Sequence, residues 1–114
     1  MHEIALAAAL LELLEAQARE HGVTRVNSFR LSCGRLAGVE EHCLRTAFEQ
    51  LCLDHPGITP SFTIDWRPVI TFCCDCGLEC EDTTYRGTCP ACGGSGVLLT
   101  GGTEELRLDE LDAD

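Results

Sequence analysis

The sequence predicts an α+β protein: two helices packed on a small β-sheet, with a cysteine-rich lobe inserted before the last strand. Three observations carry this. Residues 3–20 are strong helix formers almost throughout. A second helical run is flanked by segments that alternate apolar and polar residues. From residue 69 to about 100 the helical period stops and one short cysteine motif occurs twice.

In the first helix Leu6, Leu10, Leu13 and Leu14 fall on one face, with Glu12, Glu15 and Arg19 on the other and Gly22 as a C-cap. The segment 23–34 reads as a strand, with Phe29, Leu31 and Cys33 alternating with Ser28, Arg30 and Ser32, and Gly34 ends it. The second helix is predicted from about Val39 to Leu53, with Leu44, Ala47, Phe48 and Leu51 on its apolar face. Glu40 and Glu41 sit in its first turn, where the helix dipole favours carboxylates, and Pro56-Gly57 stops it. Phe62, Ile64 and Trp66 make a second strand. Leu106 and Leu108 open a last one, which completes the first lobe's sheet before the acidic 109–114 tail frays. The division is therefore 1–68 plus about 101–114 for one lobe and 69–100 for the other.

The second lobe is built on Cys73-Cys74-Asp75-Cys76-Gly77 and Cys89-Pro90-Ala91-Cys92-Gly93. A two-residue gap lets both thiolates of a knuckle point at one ion, and the following Gly suits the left-handed turn that closes it. Two knuckles supply the four sulfurs that tetrahedral Zn2+ takes in a closed structural site. Only the pairs 73/76 and 89/92 share the Cys-x-x-Cys-Gly grammar, so Cys74 and Cys80 are left free. A redox Cys-x-x-Cys normally opens a helix after a strand, and no helical period surrounds these knuckles. The lobe thus reads as zinc-ribbon-like.

Nine cysteines in a chain with no recognisable leader point to a reducing compartment, and hence to the cytoplasm. The sequence predicts neither a signal peptide nor a membrane anchor. The net charge is -11, and all eight basic residues are Arg. A nucleic-acid binder needs a cationic face that this chain would struggle to assemble, so that class is demoted. Of the remaining histidines, His21 and His55 stand at helix ends, and His42 lies on the polar side of the second helix.

The chain begins Met1-His2-Glu3. A large second residue should leave Met1 in place. Its amine and the His2 amide nitrogen then close a five-membered chelate, and the nearer ring nitrogen of His2 closes a six-membered one. The Glu3 amide completes a square of nitrogens, a set that suits Ni(II) or Cu(II) rather than zinc. A solvated tail is the plainer reading of the same residues.

Together these features resemble the HypA/HybF family of nickel chaperones for NiFe-hydrogenase maturation. The resemblance rests on Met1-His2-Glu3 opening a helix, His21-Gly22-Val23, Gly34-Arg35-Leu36, Ala47-Phe48-Glu49 and the paired knuckles, in order along nearly the whole chain. It implies a nickel site at Met1, His2 and Glu3 and a structural zinc on Cys73, Cys76, Cys89 and Cys92. It also implies delivery of Ni2+ to the hydrogenase large subunit beside a HypB-like GTPase, in some organisms with urease maturation proteins as further partners, and no enzymatic activity. The chain departs from some members in having Gly77 and Gly93 where a His can follow the knuckle cysteines, so a coupling of zinc to pH or nickel through such a His is not carried over. Two other readings stand beside this one: a zinc-ribbon adaptor that never carries nickel, and a Cys-x-x-Cys thiol oxidoreductase.

Overall fold

Helix α1 (Glu3–His21) ends on Gly22, whose φ of 65° lets its own N–H and that of Val23 turn back onto the carbonyls of Arg19 and Ala18. The computed structural model describes residues 2–82 and 87–114. They fall into two units, one of Met1–Ser32, Val39–Asp65 and Leu106–Asp114, the other of Cys33–Gly38 and Trp66–Glu105.

In the first unit α1 and α2 (Glu41–Cys52) pack on a sheet of order β2-β1-β6, from β1 (Val26–Gly34), β2 (Phe62–Arg67) and β6 (Arg107–Ala113). The buried face of α1 is Glu3, Ala7, Leu10, Leu11 and Leu14. This corrects the sequence reading: Leu13 is 41% exposed and Leu6 only partly buried, because positions 3, 7, 10, 11 and 14 make the single stripe of a helical period and Leu13 lies off it. Leu44 and Phe48 of α2 are fully buried, with Ala47 and Leu51 beside them, as their spacing predicts. Phe29 stacks on Phe62 at 5.1 Å between ring centres, and Phe48 meets both edge-on at 5.5 and 5.7 Å. This three-ring cluster joins α2 to β1 and β2.

Strand β6 runs antiparallel to β1 and does not fray. It reaches Ala113, and Asp114 is held on both sides: its carbonyl accepts from Thr24 N at 3.1 Å and its N–H donates to Arg25 O at 2.9 Å. The register shifts between Arg30 and Leu31, opposite Glu110 and Leu108, which leaves Asp109 as an extra residue. That bulge lets Leu108 and Leu111, three apart, both pack on the core.

The second unit is an antiparallel sheet of order β4-β3-β5, from β3 (Ile70–Cys73), β4 (Glu79–Glu81) and β5 (Val97–Gly101). The short β4 carries no sequence signal, since its three residues, Glu79, Cys80 and Glu81, are poor strand formers apart from the cysteine. Gly34 and Gly102 approach so closely that a Cβ on Gly34 would collide with the Gly102 carbonyl; Leu36 N donates to that carbonyl at 2.7 Å. Gly102 itself has φ 93°, so neither position accepts another residue without strain. Among the described residues no helix is long and apolar enough to cross a membrane.

Candidate metal centres

The first knuckle is the turn between β3 and β4, and the second leads into β5. Each closes in the same way: Gly77 N donates to Cys73 O and Gly93 N to Cys89 O, both at 2.8 Å, with φ of 73° and 77° at the two glycines. The left-handed turns anticipated from the motif are therefore present. Cys74 N reaches Gly96 O at 2.8 Å, so the strand leaving the second knuckle is fastened to the first.

These turns bring Cys73, Cys76, Cys89 and Cys92 together, with all four Sγ atoms within 4.8 Å of one another. The 73/92 and 76/89 pairs each stand 3.7 Å apart. Four sulfurs around a tetrahedral zinc at Zn–S of about 2.3 Å would be about 3.8 Å apart, so the donor set and its spacing fit the ion. Ala91 N and Cys92 N both point at Cys89 Sγ at 3.4 Å, and Gly94 N points at Cys92 Sγ at 3.4 Å. Cys74 is exposed and Cys80 lies on β4 opposite Thr71; neither belongs to the group.

The thiols of this group do not ionise alike. The N–H groups of Cys92 and Ala91 hold Cys89 down to about 7 against its desolvation. Cys76 goes the other way: a main-chain hydrogen bond at Leu78 favours its thiolate, yet desolvation and the three neighbouring sulfurs push it up to about 12. Four sulfurs this close cannot all carry charge unless a cation sits among them. A bound Zn2+ would supply that compensation, held by these four residues.

At the other candidate site, Met1 lies outside the described residues. His2 is the residue before α1, in helical geometry (φ -92°, ψ -4°), with its side chain 54% exposed. Glu3 is buried, and its Oε2 stands 3.9 Å from His2 Nδ1. The same Oε2 accepts the Glu40 N–H at 3.2 Å. That bond, the largest influence, holds the Glu3 carboxyl below its usual range.

Two participants went unread in the sequence. Glu40 is the N-cap of α2, its carboxylate accepting from Cys43 N at 2.8 Å and His42 N at 3.3 Å. Sequence reasoning placed it in the first turn as a dipole partner, because Ser, Thr, Asp and Asn are the usual caps. Asp75 reaches from the first knuckle to Gly96 N at 3.2 Å. The Gly94-Ser95-Gly96 run, free of Cβ atoms on both sides, was the one available hint. His42 is exposed, and His55 is half-buried with Nδ1 3.5 Å from Glu15 Oε2.

Known proteins similar to this one match it along nearly its whole length. Residues 1–113 match the family described as "Hydrogenase/urease nickel incorporation, metallochaperone, hypA". The hydrogenase maturation factor HypA of Syntrophus aciditrophicus is 46% identical over 114 residues, with both chains fully covered. The hydrogenase maturation factor HybF of Klebsiella pneumoniae is 34% identical over the same length, again with full coverage of both. The solution structure of the Ni metallochaperone HypA from Helicobacter pylori superposes with a TM-score of 0.67 at 22% identity, covering 99% of this chain and 97% of that one, which shows the shared fold. The chain belongs to the HypA family of metallochaperones for nickel incorporation into hydrogenase and urease.

Proposed function

We propose that this protein carries Ni(II) at its N-terminus and hands it over during hydrogenase maturation, with a structural zinc on Cys73, Cys76, Cys89 and Cys92. The observation that carries the reading is the placement of His2 and Glu3 at the start of α1 in a chain that matches the family end to end. The first N–H groups of a helix have no carbonyl one turn earlier to donate to. The His2 and Glu3 amides can therefore give up their protons to a metal without breaking the helix ladder. The exposed His2 imidazole and the Met1 amine complete a nitrogen set suited to Ni(II).

Nickel is cargo here, and the protein's work is to bind and release it rather than to catalyse a reaction. The exposed His2 suits that work, because a receiving protein can approach it from the solvent side and displace the ligands stepwise. The receiving partners in this reading are a maturation GTPase and the hydrogenase large subunit, with urease maturation proteins as further clients. The zinc unit's part is structural: four cysteines fix two turns and three short strands that have little apolar core of their own.

The test is a nickel titration of the zinc-loaded protein beside His2→Ala. Loss of nickel binding with zinc content and helicity intact is the expected result. Equal nickel affinity in the two proteins would remove the N-terminal site and leave the zinc-ribbon adaptor as the better reading.

A further inference from the structure

We infer that the Glu3 side chain is a positioning residue for the N-terminal nickel site: its carboxylate holds the Glu40 main-chain N–H and so fixes the first turn of α1 against the start of α2. The inference rests on the nickel reading above and assigns Glu3's carboxylate a task distinct from its amide. Glu3 Oε2 accepts from Glu40 N at 3.2 Å. Glu40 then caps α2 through Cys43 N and His42 N. One continuous set of hydrogen bonds thus runs from residue 3 into the second helix.

The direction of the side chain supports this assignment. Glu3 shares the buried face of α1 with Ala7, Leu10 and Leu14 and is 6% exposed, whereas the neighbouring His2 side chain is 54% exposed. The carboxylate is thus turned toward the α2 side, and the imidazole toward solvent. Their 3.9 Å separation is too long for a hydrogen bond, so the carboxylate's close partner is the Glu40 amide.

Such a clamp matters because of where the chelate sits. The first turn of a helix is the least secured part of it, and it frays unless its free groups are tied down. A chelate formed by the amine, two successive amides and one imidazole needs residues 1–3 held in a single arrangement before the metal arrives. Tying residue 3 to a second helix removes much of the freedom that nickel binding would otherwise have to freeze.

Two substitutions separate a clamp from a ligand. Glu3→Gln keeps a carbonyl oxygen at the same reach but loses the anionic charge; Glu3→Ala removes both. Nickel affinity of the full-length zinc-loaded protein and hydrogen exchange of the Glu40 N–H without nickel are measured for each, beside His2→Ala. Glu3→Gln should stay within about twofold of the parent in both readouts, whereas Glu3→Ala should bind nickel about tenfold more weakly and exchange Glu40 faster, the scale of one lost hydrogen bond. If Glu3→Gln loses nickel as fully as Glu3→Ala while Glu40 stays protected, the carboxylate is a direct ligand and the clamp is overturned. Unchanged Glu40 protection in Glu3→Ala overturns it as well. Undiminished nickel binding in His2→Ala sinks the underlying N-terminal site, a failure that these Glu3 results cannot imitate.

Discussion

Asp75 of the first knuckle accepts the Gly96 N–H at 3.2 Å, and its carboxylate occupies the space where a side chain on Gly94 would stand. One carboxylate thus ties the two knuckles together outside the ring of sulfurs. Asp75→Ala should cost about 1 kcal/mol or less, because the bond is exposed, and should speed zinc transfer to a chelator. Gly94→Ala should do at least as much damage, since its methyl must displace the carboxylate. The two losses should fall short of additivity in the double variant, where the collision no longer exists. Full additivity in chelator kinetics would show that the two residues act separately.

The four clustered cysteines predict how the second unit responds to acid and to substitution. Because protons compete with the metal for thiolates, zinc should be released as pH falls. Cys89→Ala should lose zinc and unfold the second unit, a site worth on the order of 10 kcal/mol. Cys74→Ala and Cys80→Ala should retain it, and zinc loss from Cys80→Ala alone would contradict the four-sulfur assignment.

In the first unit, Phe48 has no exposed surface and meets the rings of Phe29 and Phe62 edge-on. Phe48→Ala should therefore cost about 3–5 kcal/mol, measured by urea unfolding. Phe48→Leu, which keeps most of the volume, should cost less than half as much. An equal loss in both would mean that ring geometry, rather than filled space, holds α2 to the sheet.

Much of this architecture was legible in the sequence, and the misses have physical causes. The clustering of Cys73, Cys76, Cys89 and Cys92 could be read because their spacing is itself the geometry: a two-residue gap and a following glycine dictate the turn. The core of α2 was legible through Leu44, Ala47, Phe48 and Leu51, whose period matches the observed face. The face of α1 was not, because eighteen residues rich in Ala and Leu carry little contrast between sides. The end of β6 was missed because the bulge at Asp109 breaks the alternation that a strand search relies on. The Glu3–Glu40 and Asp75–Gly96 bonds were missed because hydrogen bonds between residues far apart in the chain leave no local pattern.

Burial gives Cys52 a role in the alkaline stability of the first unit. Its thiol is pushed from 9.0 up to about 11 by desolvation. A folded-state pKa raised in this way gives full stability below 9.0, and that share is lost as pH climbs toward 11, since the unfolded chain ionises first. Unfolding free energy should therefore fall over that window in the parent protein, and more gently in Cys52→Ala. Identical slopes in both proteins would rule Cys52 out as a source.

The last prediction tests whether the Met1 amine is one of the nickel ligands. A planar set of amine, amide and imidazole nitrogens is a strong field for Ni(II), so the bound ion should be low-spin, with a weak visible band and no paramagnetic broadening of nearby protons. The amine and the amides must give up protons to bind, so affinity should fall as pH drops below neutral. Adding a single Gly before Met1 converts that amine into a peptide nitrogen and moves the new amine one residue away from His2. The native pair of five- and six-membered rings then has no counterpart in the extended chain. Affinity should drop about as far as in His2→Ala, and any remaining complex should have an altered spectrum. A site made from side chains alone would ignore so short an extension, because His2 and Glu3 remain at the start of α1 with their partners unchanged. Native affinity and an unchanged visible band in the Gly-extended protein would therefore exclude the amine as a ligand and place the nickel on side chains.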